Sequence, residues 1–285
     1  MIEAELKLKN GAVIPRLGQG TWSMGESISK EKEEIATLRR GIELGMTLID
    51  TAEMYGEGAA ELLVGKAIKG LDRDKLYLVS KVYPHNASKN RLESSLDDSL
   101  SRMEVDYLDT YLLHWRGSIP LEETVEEMER LVDKGKIKSW GVSNLDVNDM
   151  EELLSIDKGN HCITNQVLYH LGSRGVEYSL LPWLKEKNIP LMAYCPMAQG
   201  GALKKDIFSN PVVEMVCKAR GISKAQLLLN FILREEGVLA IPKASTIAHV
   251  EENARALEFS LSKEEVEMLN EIYPKPTKKT YLDVV

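Results

Sequence analysis

Cysteine is scarce in this 285-residue chain: only Cys162, Cys195 and Cys217, an odd number with no C-x-x-C spacing. That argues against a disulfide framework and a cysteine-based zinc site, and makes a reducing cytoplasm the expected compartment. Long apolar runs are missing too, since none approaches the ~18 residues of a membrane span. The N-terminal Met1-Ile2-Glu3-Ala4-Glu5 carries acids where a secretory signal places bases. Bases are outnumbered, 36 against 44 acids, and the formal net charge of −8 disfavours nucleic acid as a partner. No Pro/Gly/Ser-rich linker interrupts the chain, so one domain over residues 1–285 is expected; a monomer is the separate expectation for its assembly. What is present, 44% hydrophobic and 28% charged residues, suits a soluble globular protein with a sizeable core.

The hydrophobic pattern alternates between two periods. After an N-terminal hairpin (5–9, a turn at Gly11, then 12–17), short β-rich runs recur at 18–21, 47–51, 76–81, 107–114, 137–143, 163–166, 190–194 and 238–242. Between them lie amphipathic stretches with helix punctuation. Ser29 is placed to cap a helix bearing Ile35, Leu38 and Ile42 before Gly45. Leu92, Leu96, Leu100 and Met103 make a second stripe, and Pro120 opens a third with Leu121, Val125, Met128 and Val132. Ser223-Lys-Ala-Gln226 and Ser262-Lys-Glu-Glu265 read as capping boxes. Eight strand-and-helix units of about 36 residues predict an α/β fold, a (β/α)8 TIM barrel with an N-terminal β-hairpin. A doubly wound open sheet is the competing architecture.

Several familiar motifs fail. Gly18-Gln19-Gly20 follows a predicted strand start, but its third glycine, Gly25, lies two positions too far for a dinucleotide fingerprint, and a strand-end bend is the better reading. Gly141-Val-Ser143-Asn-Leu145 lacks the second glycine of a nucleophile elbow. The five histidines, 85, 114, 161, 170 and 249, show no helical i, i+4 pair, so no metal is expected.

What survives is a placement. Polar groups end seven consecutive predicted strands: Asp50, Lys81, His114, Ser143 with Asn144, Asn165 with Gln166, Tyr194 and Lys243. Any one alone reads as a solvated loop residue, but a barrel points all of them at one mouth. A phenol, Tyr55, follows Asp50 in the loop. A phenol of ordinary pKa ~10 is a poor acid at neutral pH unless its anion is stabilised, and the ammonium of Lys81 on the adjacent strand supplies that attraction. Asp50 would hold Lys81 charged, and His114 would orient a carbonyl beside Tyr55. This is a proton-donating site that needs an external hydride donor.

The segments Gly18-Gln-Gly-Thr-Trp22, Leu48-Ile-Asp-Thr-Ala-Glu-Met-Tyr-Gly56, Val79-Ser-Lys81, Leu112-Leu-His-Trp115, Gly141-Val-Ser-Asn144, Asn165-Gln166, Ala193-Tyr-Cys-Pro196, Ile241-Pro-Lys243 and Glu252-Asn253 together resemble the aldo-keto reductases, in order and across the chain. The likeness is greatest to bacterial members that include methylglyoxal and diketogluconate reductases. The resemblance implies a catalytic tetrad of Asp50, Tyr55, Lys81 and His114, with Tyr55 as general acid in reduction. It further implies that Ser143, Asn144 and Gln166 bind the nicotinamide carboxamide, with Tyr194 stacked on the ring. Thr21, Trp22, Met197, Lys243, Ser245, His249, Glu252 and Asn253 complete the implied cofactor contacts, and Trp22, Met54 and Trp115 line the substrate pocket.

Two departures from the family pattern bear on specificity. Lys243 matches the residue that pairs with the 2′-phosphate of NADP, but Ala244 replaces the usual serine and His249 the usual arginine. A guanidinium fork clamps phosphate through two bonds and a neutral imidazole does not. NADP(H) is therefore favoured with NAD(H) use left open, resting on Lys243, Ser245 and a protonated His249. The segment 115–119 and the tail after Tyr273 are short, which predicts an open mouth suited to small α-dicarbonyls and activated aldehydes. Two rival readings use the same residues: a Schiff-base aldolase with Lys81 as nucleophile, and a cofactor-binding barrel that acts as a redox sensor or regulatory subunit. Cys195, beside Tyr194, reads as a buried inert thiol.

Overall fold

The computed structural model describes residues 2–284. Strands β1 (Glu5–Lys7) and β2 (Val13–Pro15) form an antiparallel hairpin, with Gly11 at φ +87 in the turn. The chain then alternates: β3 (Gln19–Gly20), α1 (Glu31–Glu43), β4 (Leu48–Asp50), α2 (Ala59–Ile68), β5 (Tyr77–Val82), α3 (Leu92–Met103), β6 (Thr110–Leu113), α4 (Leu121–Asp133), β7 (Trp140–Ser143), α5 (Val147–Ser155), β8 (Asn165–Leu168), α6 (Leu180–Glu186) and β9 (Leu191–Tyr194). Three helices, α7 (Gly201–Ser209), α8 (Pro211–Arg220) and α9 (Lys224–Leu233), precede β10 (Val238–Ala240), and α10 (Ile247–Ala254) and α11 (Lys263–Ile272) follow it.

Strands β3 to β10 lie side by side in chain order, each parallel to the next. The two ends of this sheet meet. Gly18 N donates to Ala240 O and Gly20 N to Pro242 O, so the sheet closes into a (β/α)8 barrel and the open doubly wound alternative is excluded. This closure explains the Gly18-Gln19-Gly20 run. A Cβ on Gly20 would stand 2.6 Å from Ile241 O, and one on Gly18 2.6 Å from a Leu48 methyl. The glycines let strands approach rather than cradle phosphate. Arg16 staples the same seam, its guanidinium donating to Val238 O, Leu233 O and Glu235 O.

Two cores result. Leu48, Val79, Leu112, Ile163, Met192, Leu239 and Ile241 fill the barrel interior, and Leu8 and Ile14 of the hairpin plug its lower end. A larger cluster packs the outer strand faces against the helices, including Leu92, Leu96, Leu100 and Met103 of α3 and Leu121, Val125 and Met128 of α4. Both anticipated capping boxes form, at Ser223 with Gln226 and at Ser262 with Glu265. The cap assigned to Ser29 does not. Lys30 occupies that position without a side-chain bond, because the Ser29 hydroxyl pairs with that of Ser27. Glu31, Glu33 and Glu34 instead face the helix dipole from the first turn. Among the described residues no helix is long and apolar enough to cross a membrane.

Candidate active site

Strand pleating decides what reaches the mouth. Successive side chains alternate faces, so a residue two beyond an inward apolar one also points inward, one layer higher. Leu48, Val79, Leu112, Met192 and Ile241 belong to the inner core. Two residues further on stand Asp50, Lys81, His114, Tyr194 and Lys243. A slip of one residue in any strand would turn its polar group outward.

These groups converge on a cavity of about 410 Å³ at the C-terminal end of the strands. Thr21, Trp22, Asp50, Met54, Tyr55, His114, Trp115, Ser143, Asn144, Gln166, Tyr194, Met197 and Lys243 all line it. Lys81 lies beneath the floor, 0% exposed, and Ser245, His249, Glu252 and Asn253 stand outside the cavity wall on α10 and the segment leading to it. Trp22 (44% exposed) and Trp115 (37%) rim the opening, and Trp22 meets the Tyr55 ring edge-on at 5.0 Å. Three polar lining residues are not anticipated from sequence: Gln199 and Lys204, on either side of a turn through Gly200 and Gly201, and Ser23. The Gly200-Gly201 pair ahead of a lysine was the only sequence signal for them.

The floor is a chain of charge-assisted hydrogen bonds. Lys81 Nζ donates to Asp50 Oδ2 at 2.8 Å, to Thr51 O at 2.7 Å and to Tyr55 Oη at 2.9 Å. An ammonium has three N–H groups, so all three are spent. Tyr55 Oη thus receives a hydrogen from Lys81, and its own O–H is directed elsewhere, toward the cavity that the residue lines. Asp50 is 2% exposed and its second oxygen, Oδ1, accepts from Gln166 Nε2 at 2.7 Å. Burial pushes the Asp50 carboxyl up and the Lys81 ammonium down, and each opposite charge pulls the other back toward the ionised form.

Tyr55 departs from the simple expectation. Its hydroxyl is held well above the ordinary phenol value, first by burial and then by the charge of Asp50. The resting phenol is therefore protonated at neutral pH. Burial and the Lys81 charge push His114 down to about 2, which makes it a neutral imidazole. Its Nδ1 is sealed without a partner among the described residues, leaving Nε2 as the ring atom that can meet a ligand. The ring lies 5.8 Å from that of Tyr55.

A second network surrounds this floor. The Ser143 hydroxyl donates to Gln166 O, Asn144 Nδ2 to His114 O at 3.2 Å, and Tyr194 Oη to Asn144 Oδ1 at 3.0 Å. Asn144 holds a left-handed φ of 59, a conformation asparagine tolerates well, and this turns its side chain back over the mouth. The loop after Tyr55 is also left-handed at Gly56, Glu57 and Gly58. Arg102 packs on Gly58 and donates to the buried Glu61, which also accepts from Ser80.

This geometry decides between the enzymatic rivals. A Schiff-base nucleophile must reach substrate as a free amine. Lys81 is fully enclosed and committed to three acceptors, so it cannot attack a carbonyl in the cavity. Cys195 does line the cavity, but burial pushes its thiol up to about 11, so it is not a thiolate at neutral pH.

The chain resembles known proteins along most of its length. The model of the aldo/keto reductase family matches residues 16–274. The sequence is 54% identical over 285 residues to methylglyoxal reductase YeaE of Escherichia coli (strain K12), covering 100% of both chains. It is 32% identical over 267 residues to glyoxal reductase of Bacillus subtilis (strain 168), covering 93% of this chain and 91% of that protein. The crystal structure of an aldo/keto reductase from Klebsiella pneumoniae in complex with NADP and acetate superposes with a TM-score of 0.97 at 53% identity, covering 100% of each chain.

Proposed function

Because the chain belongs to the aldo/keto reductase family, we propose that it reduces small carbonyl compounds with NADPH, α-dicarbonyls of the methylglyoxal type foremost, and that Tyr55 is the proton donor. The observation that carries this reading is the commitment of all three Lys81 N–H groups, one of them to Tyr55 Oη, which leaves the phenol proton for the cavity.

The residues fit the dinucleotide. Asn253 is 2% exposed, yet its Nδ2 has no partner among the described residues, as suits a donor kept for a ligand. Lys243 presents an exposed ammonium on the cavity wall, where it would meet the 2′-phosphate, with Ser245 and His249 following it. Gln166, Ser143 and Asn144 are grouped where a carboxamide would be held, and Tyr194 where a ring would stack. When bound, the nicotinamide supplies a hydride to the carbonyl carbon.

The chain's own groups do the rest. Neutral His114 directs the carbonyl oxygen toward Tyr55, and Tyr55 gives that oxygen its proton. Lys81 stabilises the phenolate left behind through its hydrogen bond, and Asp50 keeps Lys81 charged. Trp22, Met54 and Trp115 exclude water from the substrate side. The accompanying reading is of a cytoplasmic enzyme active as a monomer. The compartment is supported by three free cysteines.

The test is cofactor absorbance decay with methylglyoxal, run with NADPH and with NADH, beside a steroid ketone as a bulky control. Turnover of methylglyoxal with NADPH is expected to exceed that of the steroid. A steroid reduced far more efficiently would overturn the small-carbonyl assignment, and no NADPH oxidation with any carbonyl would favour the sensor reading.

A further inference from the structure

Gln166 stands at the junction of the two networks described above. Its side chain crosses the barrel from β8 to β4, and Nε2 lies 2.7 Å from Asp50 Oδ1. A carboxylate only accepts hydrogen bonds, so the amide nitrogen must face Asp50 and the amide oxygen must turn away from it. The side-chain bonds of Gln166 among the described residues both leave from Nε2, to Asp50 and to Met192 Sδ, while the residue lines the cavity. Its main-chain carbonyl receives the Ser143 hydroxyl at 2.8 Å and the Asn144 amide at 2.9 Å. Asn144 continues to the carbonyl of His114.

We propose that Gln166 is a positioning residue of proton transfer: its amide N–H fixes Asp50 while its amide oxygen faces a bound carboxamide, so that filling the cofactor seat and holding the Asp50–Lys81–Tyr55 relay are one event. This rests on the reading of Tyr55 as proton donor. A carboxamide N–H donated to the amide oxygen polarises the glutamine and strengthens the bond its N–H makes to Asp50. Asp50 is then a better partner for the charged form of Lys81, and Lys81 a stronger donor to Tyr55. The other titratable groups around this chain are Glu61, reached behind β5 through Ser80, then His114, Tyr194 and Cys195.

The sign follows from the bonds. Without the Gln166 N–H, Asp50 binds a proton more readily and draws it from Lys81. A neutral Lys81 supports the Tyr55 anion less, so Tyr55 gives up its proton less readily.

The experiment compares the intact chain with Gln166→Met, which keeps length and loses both amide functions, and with Gln166→Asn, which keeps the amide but withdraws its reach. NADPH affinity is read by quenching of protein fluorescence, and kcat for methylglyoxal is followed against pH. Expected for both variants are weaker NADPH binding, a lower kcat and an alkaline limb displaced upward by about one pH unit. An Asp50→Asn change is then made in each background. Its effect on NADPH affinity should be distinctly smaller without Gln166 than with it, since the two residues act as one unit.

Weaker binding with an unmoved alkaline limb and additive effects would reduce Gln166 to a plain cofactor contact and overturn the proposal. The affinity cycle needs no turnover, so it remains readable even if the intact chain fails to reduce methylglyoxal, the result that would instead sink the functional reading. Should Gln166→Met not fold, Gln166→Asn carries the same two readouts.

Discussion

The floor of the site and the rim around Lys243 are built on opposite plans. On the floor, Asp50, Lys81 and Gln166 are fully buried, and every hydrogen of the ammonium is assigned. On the rim, Lys243 and His249 are exposed, Ser245 is half-buried, and the buried donor of Asn253 is unmatched. A buried network in a medium of low dielectric fixes charges and positions before substrate arrives, which is what proton transfer requires. Exposed cations attract a phosphate but are screened by salt and hold no fixed geometry. The chain thus keeps its buried charges preorganised and its rim groups adaptable.

The sharpest way to break that comparison is at the floor. Tyr55→Phe removes one oxygen and should lower kcat by about 10³-fold while leaving NADPH affinity, read by fluorescence quenching, nearly unchanged. Retention of most of the activity would show that another group donates the proton. Acid should expose the same contrast in stability. Burial holds His114 at about 2 and His170 at about 4, both below the ~6.5 of an unfolded histidine. Below that unfolded value the unfolded chain binds more protons, so stability is full above about pH 6.5 and falls as pH drops toward the folded values. Each residue contributes at most about 1.4 kcal/mol per pH unit in that window. Thermal melts of His170→Gln should therefore show a shallower acid decline than the intact chain, and an identical slope would refute the burial argument.

The rim should respond least. Lys243→Ala is expected to weaken NADPH about tenfold and NADH hardly at all, and His249→Arg to tighten NADPH a few-fold by restoring a guanidinium fork. Equal losses for both cofactors, measured as the ratio of their kcat/KM values, would detach Lys243 from the 2′-phosphate.

Much of this was legible in the sequence because the signals are local. Strand periods, capping boxes and the Asp50-to-Tyr55 spacing depend on neighbours a few residues away. Where reasoning failed, a competing contact had won. The Ser29 hydroxyl found Ser27 instead of the helix end. Burial and the charge of Asp50 also raise the Tyr55 hydroxyl, an effect of the folded surroundings that the loop sequence does not carry. Gln199 lies in the loop before α7 and Lys204 in its first turn, with no strand period to announce them, and only folding brings them to the cavity.

By itself, then, the sequence determined the alternation that puts polar groups two residues beyond core residues on consecutive strands, and hence a barrel with one reactive mouth. Tertiary structure alone decided that Gln166 reaches Asp50 across 116 residues of chain, that Lys81 has no hydrogen to spare, and which charges are sealed from water. The reason is physical: backbone period is set by near neighbours, whereas barrel closure and the dielectric around a charge are set by the whole fold.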